Sequence, residues 1–213
     1  MSLLFSEGRT YVLILAVLAF LLWFVQPFLI LVPITLFLFL LFFFRDPQRT
    51  PPEPRPGLEY FVSPADGKVT AVGPVDESYL FQGPSMMVTI FLSPLDVHVN
   101  RTPIGGTVTQ TEHKPGLFRA AYIAEAPSVN ERNYIVVENV HARCLVVQIV
   151  GVLARRVVCW VKAGQALQAG ERIGLMKFGS CMQVFMPPDT KIKVATGDRV
   201  RAGETIIGEM SYD

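Results

Sequence analysis

The sequence predicts a mainly β protein, in which a compact sheet or barrel-like domain follows an N-terminal hydrophobic helical membrane anchor. Two observations predict this class. An uncharged apolar block covers residues 11–44, and the rest of the chain contains short runs of β-branched and aromatic residues bounded by Gly, Pro or Asp. No long amphipathic helical pattern interrupts these runs. A length of 213 residues suits one domain with an appendage.

The apolar block predicts the anchor, because it contains 34 consecutive residues without a charge. A single helix of this length would measure about 50 Å, whereas a hydrocarbon core is about 30 Å thick. Pro27 and Pro33 lie where a turn would divide the block into two segments, each short for a full span. A tight helical hairpin and one tilted span with an interfacial piece are the two interpretations. Arg9, Arg45 and Arg49 flank the block and favour the hairpin, with both ends on the cytoplasmic side.

The domain organisation that follows has three parts. Residues 1–46 form the anchor, residues 47–60 form a stiff proline-rich linker, and residues 61–213 form the β domain. A cleaved signal peptide fits the N-terminus poorly, because the apolar block is too long and no small-residue cleavage site follows it.

Charge and cysteine content argue against two classes of function. From Pro51 onward the chain carries 16 Lys+Arg and 16 Asp+Glu, and this balance disfavours a nucleic-acid surface, which needs a basic stripe. Cys144, Cys159 and Cys181 show neither a CxxC spacing nor a partner histidine cluster. They are predicted to be reduced thiols, and the sequence predicts no metal site.

The β domain is predicted from seven strand-like runs and a weak internal repeat. The runs are Lys68–Val72, Met86–Leu92, Gly106–Thr111, Tyr134–Glu138, Cys144–Val152, Arg156–Val161 and Gln183–Met186. The repeat relates residues 163–171 to residues 196–204, and its glycines suit tight turns. It resembles the hairpins of lipoyl and biotinyl carrier domains. A carrier needs a lysine at the hairpin tip, which neither copy has, so the repeat is predicted to be architectural.

Four polar clusters interrupt the β pattern, and they contain the candidate catalytic residues. The clusters are Ser63–Val69, Leu92–Arg101, Asn130–Asn133 and Lys177–Met182. Each has a structural alternative, such as an Asp-Gly turn or a solvated loop. Strand alternation places Asp96, His98 and Asn100 on one face. Asp66, His98 and Ser180 would supply the orienting acid, base and nucleophile of nucleophilic catalysis, if the fold brings them together. No GxSxG elbow and no phosphate-binding loop is present.

In their order and spacing these motifs resemble the phosphatidylserine decarboxylase family in its short, membrane-anchored form. The matching segments are Phe-Phe-Arg-Asp-Pro at 43–47, Pro-Ala-Asp-Gly at 64–67, residues 93–101, Asn-Glu-Arg at 130–132 and Phe-Gly-Ser at 178–180. The resemblance implies a self-cleaving proenzyme. Ser180 would attack the carbonyl of Gly179, and elimination would leave a β chain, residues 1–179. The α chain, residues 180–213, would begin with a pyruvoyl group as covalent cofactor.

The resemblance also implies roles for side chains and a substrate. His98 would activate Ser180, and Asp66 would orient His98. The pyruvoyl ketone would form a Schiff base with phosphatidylserine in the membrane, release carbon dioxide and give phosphatidylethanolamine, with His98 as the acid that reprotonates the product. Arg132 and Asn100 are candidate substrate contacts.

The same resemblance implies partners and a location. The α and β chains would stay together as a heterodimer, a higher homo-oligomer is left open, and neither nucleic acid nor metal would be a partner. The enzyme would lie at the inner cell membrane, with its domain on the cytoplasmic face. An ether-linked archaeal serine lipid is the alternative substrate. A non-enzymatic, membrane-tethered lipoyl-like carrier is the alternative of another class.

Two positions depart from the family pattern. Longer members carry a second histidine three residues after the first, and here that residue is Arg101. Either His98 acts alone on Ser180, or Arg101 contributes differently, with His141 as a remote fallback. Cys181 follows the serine where short relatives more often have a basic residue, and it is predicted to be structural.

Overall fold

A computed structural model describes residues 3–119, 126–151, 157–177 and 180–212 of the chain. The chain divides into two compact units, Met1–Pro47 and Gln48–Asp213. Gly179 of the expected cleavage site lies outside the described residues, as does Arg156 of one predicted strand.

The first unit is helical. Its elements are α1 (Leu3–Glu7), α2 (Arg9–Val25), a short 3-10 helix (Pro27–Ile30) and α3 (Leu31–Phe43). Gln26 takes an extended conformation and ends α2, and Pro27 then begins the 3-10 turn without needing an amide donor. The rings of Tyr11 and Phe44 lie 6.4 Å apart, so the start of α2 meets the end of α3. The apolar block therefore folds as two antiparallel helices.

The expectation of a membrane-spanning anchor is not supported by the helix lengths. The longer of the two apolar helices, α2, has 17 residues and no buried side chain. Within the described part of the chain, no helix is both long enough and apolar enough to cross a membrane.

The second unit confirms the prediction of a mainly β domain. Its strands are β1 (Leu58–Val62), β2 (Gly67–Glu77), β3 (Gly83–Leu92), β4 (Val99–Arg101), β5 (Gly106–Lys114), β6 (Arg132–Glu138), β7 (Arg143–Ile149), β8 (Val157–Cys159), β9 (Ala166–Leu167), β10 (Arg172–Met176), β11 (Ser180–Met186), β12 (Lys191–Ile192), β13 (Arg199–Val200) and β14 (Ile206–Ser211). The one helix among its described residues is α4 (Ala126–Val129). All seven strand-like runs of the sequence overlap these strands.

The strands form one large sheet and two small ones. The large sheet has the order β13-β2-β3-β11-β7-β6-β5-β9 and curls into a half-barrel. The small sheets have the orders β1-β14-β12 and β4-β10-β8. Each named strand pair is antiparallel, as expected for a chain of short strands and tight turns.

Side-chain alternation divides the large sheet into two faces. On β11, Met182, Val184 and Met186 belong to the main core, whereas Cys181 belongs to a smaller cluster on the other face. Because alternate residues share a face, Ser180 lies on the same side of β11 as Met182. The nucleophile predicted from the sequence is thus directed toward the interior of the half-barrel.

The internal repeat forms two equivalent turns that touch each other. Gly170 and Gly203 have φ values of +73° and +74°, which glycine adopts without strain. A Cβ built on either glycine would lie 3.5 Å from the Cα of the other, so the two turns pack closely. The architectural interpretation of the repeat agrees with this contact.

Candidate active site

Ser180 is a buried hydroxyl at the first position of β11. It pairs with Leu92 of β3, and its residue is fully buried. Its Oγ has no hydrogen-bond partner among the residues that the structure describes. A buried polar group without a partner costs about 1–3 kcal/mol, and such an exception calls for a functional explanation.

His98 is a fully buried imidazole just before β4. Its Nδ1 lies 2.9 Å from the carbonyl oxygen of Asp96. A carbonyl only accepts hydrogen bonds, so Nδ1 carries the proton in the neutral ring and Nε2 is the basic nitrogen. The backbone carbonyl of His98 accepts a bond of 3.3 Å from the amide of Met176, which joins the residue to the end of β10.

Sheet register places His98 and Ser180 at the same end of the domain. In the small sheet, Asn100 of β4 pairs with Gly174 of β10, and His98 lies beside the last residue of β10. The chain passes from that end of β10 to Ser180, the first residue of β11, over three intervening residues. The base and the nucleophile predicted from the sequence therefore lie at one edge.

Asp96 holds the loop that carries His98. Its Oδ2 accepts a bond of 2.8 Å from the amide of Ser93, and its Oδ1 accepts one of 2.8 Å from Nη1 of Arg199. The first bond closes the turn from Ser93 to Asp96, and the second joins this turn to β13. Asp96 thereby fixes the position of the carbonyl that orients the imidazole.

Asp66 lies in an ionic cluster rather than against the imidazole ring. Its carboxylate accepts bonds of 2.9 Å from Nη2 of Arg49 and 2.8 Å from the amide of Ala202. Burial raises the pKa of the Asp66 carboxyl above its ordinary value; the Ala202 amide and Arg49 oppose this shift, and the negative charge of Asp96 reinforces it. The contact that orients His98 comes from the carbonyl of Asp96.

The two candidate substrate contacts have different surroundings. Asn100 is fully buried and accepts a hydrogen bond of 2.8 Å from Nε2 of Gln148. Arg132 is half-buried, and it donates to the hydroxyl of Tyr134 at 2.8 Å and to the carbonyl of Pro127 at 2.9 Å. The guanidinium of Arg132 thus holds the short helix α4 against β6.

The two positions that depart from the family pattern have structural contacts. Arg101 donates from Nη1 to the carbonyl of Gly170 at 2.9 Å, and its side chain packs against Gly203, so it joins the two repeat turns. Cys181 is buried on the outer face of the sheet. Burial raises the pKa of the Cys181 thiol to about 12, so the thiol stays protonated and unreactive at neutral pH.

His141 lies far from this edge. It belongs to the turn between β6 and β7, and its ring stacks on Tyr212 with 3.6 Å between ring centroids. That turn is at the opposite end of β7 from Ile149, the neighbour of Cys181. The described part of the chain contains no group of three or more His, Cys, Asp or Glu side chains that could hold a metal ion.

Comparison with known proteins identifies the family. The family profile described as phosphatidylserine decarboxylase matches residues 36–208, which is most of the chain. The chain belongs to the phosphatidylserine decarboxylase family. The resemblance inferred from the motifs is therefore confirmed.

Curated relatives within the phosphatidylserine decarboxylase family match nearly end to end. A protein of Carboxydothermus hydrogenoformans is 43% identical over 208 residues, covering 97% of this chain and 96% of the relative. One of Symbiobacterium thermophilum is 47% identical over 207 residues, covering 96% and 94%. One of Syntrophus aciditrophicus is 41% identical over 184 residues, covering 86% and 85%. Each is named phosphatidylserine decarboxylase proenzyme.

Two residues of the candidate site are not predicted by the sequence. Gln148 is a fully buried amide within β7, and the signal for it was one polar residue inside an otherwise apolar strand run. Arg49 was assigned only to the flank of the apolar block, whereas it forms ion pairs of 2.9 Å with both Asp66 and Glu204. No local pattern predicts a pair between positions 49 and 204.

Replacing Arg49 with alanine should destabilise the β domain. The side chains of Arg49, Asp66 and Glu204 are 9%, 14% and 33% exposed. Removing the cation leaves two poorly solvated carboxylates, and we expect a loss of about 2–3 kcal/mol at pH 7, less than for a fully buried pair because Glu204 reaches solvent. Urea unfolding of the detergent-solubilised chain in a Ser180→Ala background, which retains one continuous chain, measures the difference.

The control for this variant is Arg201→Ala, and pH provides a second test. Arg201 lies 4.0 Å from the same Glu204 carboxylate but is 74% exposed, so its loss should change stability by less than about 0.5 kcal/mol. The raised pKa of Asp66 means that the folded chain binds its proton more tightly than the unfolded chain does. The cost of Arg49→Ala should therefore shrink as pH falls and the carboxylates become neutral. An equal loss of stability in Arg49→Ala and Arg201→Ala would contradict the stabilising role of Arg49.

Proposed function

We propose that this chain is a phosphatidylserine decarboxylase proenzyme that cuts itself between Gly179 and Ser180. The observation that carries the proposal is the fully buried Ser180 hydroxyl, without a partner among the described residues, at the edge that also holds His98. The relatives support it, since each is named a phosphatidylserine decarboxylase proenzyme.

In the proposed cleavage, Oγ of Ser180 adds to the carbonyl carbon of Gly179. Nε2 of His98 accepts the hydroxyl proton and returns it to the leaving amide nitrogen, which gives an ester. Asp96 orients the imidazole through its carbonyl oxygen, 2.9 Å from Nδ1. Asp66 is the proposed source of a negative charge that would stabilise the imidazolium form. Elimination from the ester then frees the carboxyl end of the β chain.

The residues present fit a pyruvoyl group at position 180. The side chain that would become this group is fully buried and makes no hydrogen bond to the described residues, so its conversion breaks no hydrogen bond to them. A pyruvoyl ketone supplies an electron sink for the decarboxylation of an amino acid head group. His98 is the proposed acid that delivers a proton to the product, and Arg132 and Asn100 are the proposed head-group contacts.

We also propose that the helical first unit attaches the enzyme to the inner cell membrane, with the β domain on the cytoplasmic face. α2 and α3 carry no charge from Tyr11 to Phe43, and many of their large apolar side chains are exposed. Helices that are apolar on all faces favour a lipid environment over water. A lipid substrate is in keeping with this attachment. Co-sedimentation of the chain and of a 48–213 version with phospholipid vesicles tests it, since only the full chain should bind tightly.

Intact-mass analysis of the purified protein tests the proposed function. The wild type should give two chains, residues 1–179 and residues 180–213. The smaller chain should be lighter than its encoded mass by one ammonia, because dehydroalanine takes up water and releases ammonia to become pyruvoyl. Incubation with phosphatidylserine should release carbon dioxide.

Three other results would contradict the proposal in different ways. A single chain of full-length mass would exclude self-cleavage. A full-length chain with a modified lysine would instead favour a lipoyl-like carrier. A cleaved enzyme that acts on an ether-linked serine lipid and not on the ester lipid would replace the proposed substrate.

A further inference from the structure

Large apolar side chains are exposed at four positions among the described residues of the β domain, and three of them lie at one end. The four residues are Leu95, Leu117, Phe118 and Val140. Val140 is in the turn between β6 and β7, whereas the other three follow β3 and β5 at the end of the large sheet where β11 begins with Ser180. Apolar surface residues scattered singly need no explanation, but a group at one end indicates a contact surface.

Leu95 lies in a fixed turn beside the first residue of β11. Ser180 pairs with Leu92, the last residue of β3, and the turn begins at the next residue, Ser93. The amide of Ser93 donates to the carboxylate of Asp96 at 2.8 Å, which closes the turn. The side chain of Leu95 is nevertheless 65% exposed. The structure thus holds a leucine in solvent a few residues from the proposed nucleophile.

Leu117 lies at the same end of the sheet, on the other side of β11. β7 ends there at Ile149, and the carbonyl of the next residue, Val150, accepts a hydrogen bond of 2.8 Å from Nδ2 of Asn130. Asn130 forms a β-bridge with Leu117, which is 52% exposed and precedes the exposed Phe118. Exposed apolar side chains therefore flank β11 on both sides.

Basic side chains accompany these apolar residues. Lys68 of β2 and Lys114 of β5 are exposed, and the side chain of Arg199 of β13 is 69% exposed. Their register places all three at the same end of the large sheet. Two acidic side chains at this end, Asp96 and Glu131, are only 15% and 19% exposed. Apolar side chains beside accessible cations match the chemistry of an anionic lipid surface.

We propose that this end of the β domain is a docking face for an anionic phospholipid surface. The docking face consists of three apolar and three basic residues: Leu95, Leu117, Phe118, Lys68, Lys114 and Arg199. The apolar side chains enter the boundary between head groups and acyl chains, and the basic side chains contact lipid phosphates and carboxylates. So few groups bind weakly by themselves. The docking face therefore orients the domain with the Ser180 end against the lipid, in addition to the attachment proposed for the helical unit.

The docking face also makes activity depend on lipid composition, a consequence that rests on the proposed function. The head group of phosphatidylserine carries one net negative charge, whereas that of phosphatidylethanolamine is neutral. Decarboxylation takes up a proton and releases carbon dioxide, so it removes negative charge from the surface to which the domain docks. Docking should weaken as product accumulates, and the reaction should slow before all substrate is consumed.

The first test measures contact with lipid and does not depend on activity. Trp23 and Trp160 are replaced by phenylalanine in the full chain, and one tryptophan is introduced at position 95 or, as a control, at position 140. The chains are added to phosphatidylserine vesicles that contain a lipid with brominated acyl chains, which quenches tryptophan inside the bilayer. Leu95→Trp should shift to shorter emission wavelengths and be quenched. Val140→Trp, at the opposite end and in place of a side chain that is 92% exposed, should show neither effect.

The second test compares two forms of the substrate. Leu95→Ser and Leu117→Ser should release carbon dioxide from phosphatidylserine vesicles about tenfold more slowly than the wild type, the effect of partly burying one leucine side chain. Lys68→Gln and Lys114→Gln should each slow this reaction about fivefold, and added salt should reduce that difference. All four variants should act at the wild-type rate on short-chain phosphatidylserine dispersed as monomers. Val140→Ser should match the wild type on both substrates.

The outcomes separate the docking face from the proposed function. An unquenched Leu95→Trp would overturn the docking face, as would an equal loss of activity on vesicles and monomers, because Leu95 would then serve only the active site. Self-association that Leu95→Ser abolishes, without quenching by lipid, would assign the face to a second copy of the chain. A wild type that stays uncut or releases no carbon dioxide from either substrate would contradict the proposed function, and quenching alone would then decide the docking face.

Discussion

Replacement of Ser180 by alanine should abolish self-cleavage and leave one chain of 213 residues. The proposed chemistry requires a nucleophilic atom on this side chain, which first attacks the carbonyl carbon of Gly179 and then leaves with the β chain. Alanine also removes a buried hydroxyl that has no hydrogen-bond partner among the described residues, so the folded chain should lose little stability. Intact-mass analysis should therefore show a single uncut chain, and incubation with phosphatidylserine should release no carbon dioxide.

Other substitutions at position 180 should give intermediate rates of cleavage. Ser180→Thr and Ser180→Cys retain a nucleophilic atom and should be cut slowly, whereas alanine should show no cut at any time. The matched control is Ser85→Ala, which removes another buried serine from the opposite end of β3, where Met86 pairs with Met186. This control should mature like the wild type. If Ser180→Ala is still cut into two chains, another residue is the nucleophile.

Much of the fold could be predicted because its strands follow local rules. Runs such as Met86–Leu92 alternate or stay apolar between turn residues, and β3 indeed covers Gly83–Leu92. The repeat glycines were predicted to form turns, and positive φ angles at Gly170 and Gly203 agree with this. These features depend on residues near each other in the chain, which a single sequence displays directly.

Contacts between distant segments could not be predicted in the same way. The family resemblance implied that Asp66 would orient His98. The order of strands instead brings Arg49 and Ala202 to Asp66, while a residue two positions away holds His98 through its carbonyl. Pairings over such separations depend on topology, and composition carries little information about them.

Gln148 shows the same limit. A lone glutamine in β7 breaks the apolar pattern, but only the register of β6, β7 and β11 reveals that it bridges Asn133 and Asn100. The division of the helical unit, by contrast, could be predicted, because the uncharged block contains two short segments separated near Pro27. The proline and its extended neighbour divide the block, so neither segment reaches the length of a membrane span.

Replacement of His98 by alanine should slow self-cleavage about a hundredfold to ten-thousandfold, the range that general bases contribute. The reason is geometric, since the Asp96 carbonyl fixes the Nδ1 proton and leaves Nε2 as the basic nitrogen at the Ser180 edge. The wild type should also cleave more slowly in acid, where imidazole is protonated and cannot accept the hydroxyl proton. The variant should lose this dependence. Gel time courses over a pH series measure both effects.

The other two histidines, His113 and His141, serve as controls for His98, because both lie far from Ser180. His113 lies on β5, three strands from β11 and thus roughly 14 Å across the sheet, and its side chain is half-exposed. His141 stacks on Tyr212 at the opposite end of the domain. His113→Gln and His141→Ala should therefore mature at the wild-type rate. A His98→Ala chain that remains folded by limited proteolysis and is still cut at the wild-type rate would remove His98 from the mechanism. Arg101, in the position of the second histidine, would then be the next residue to replace.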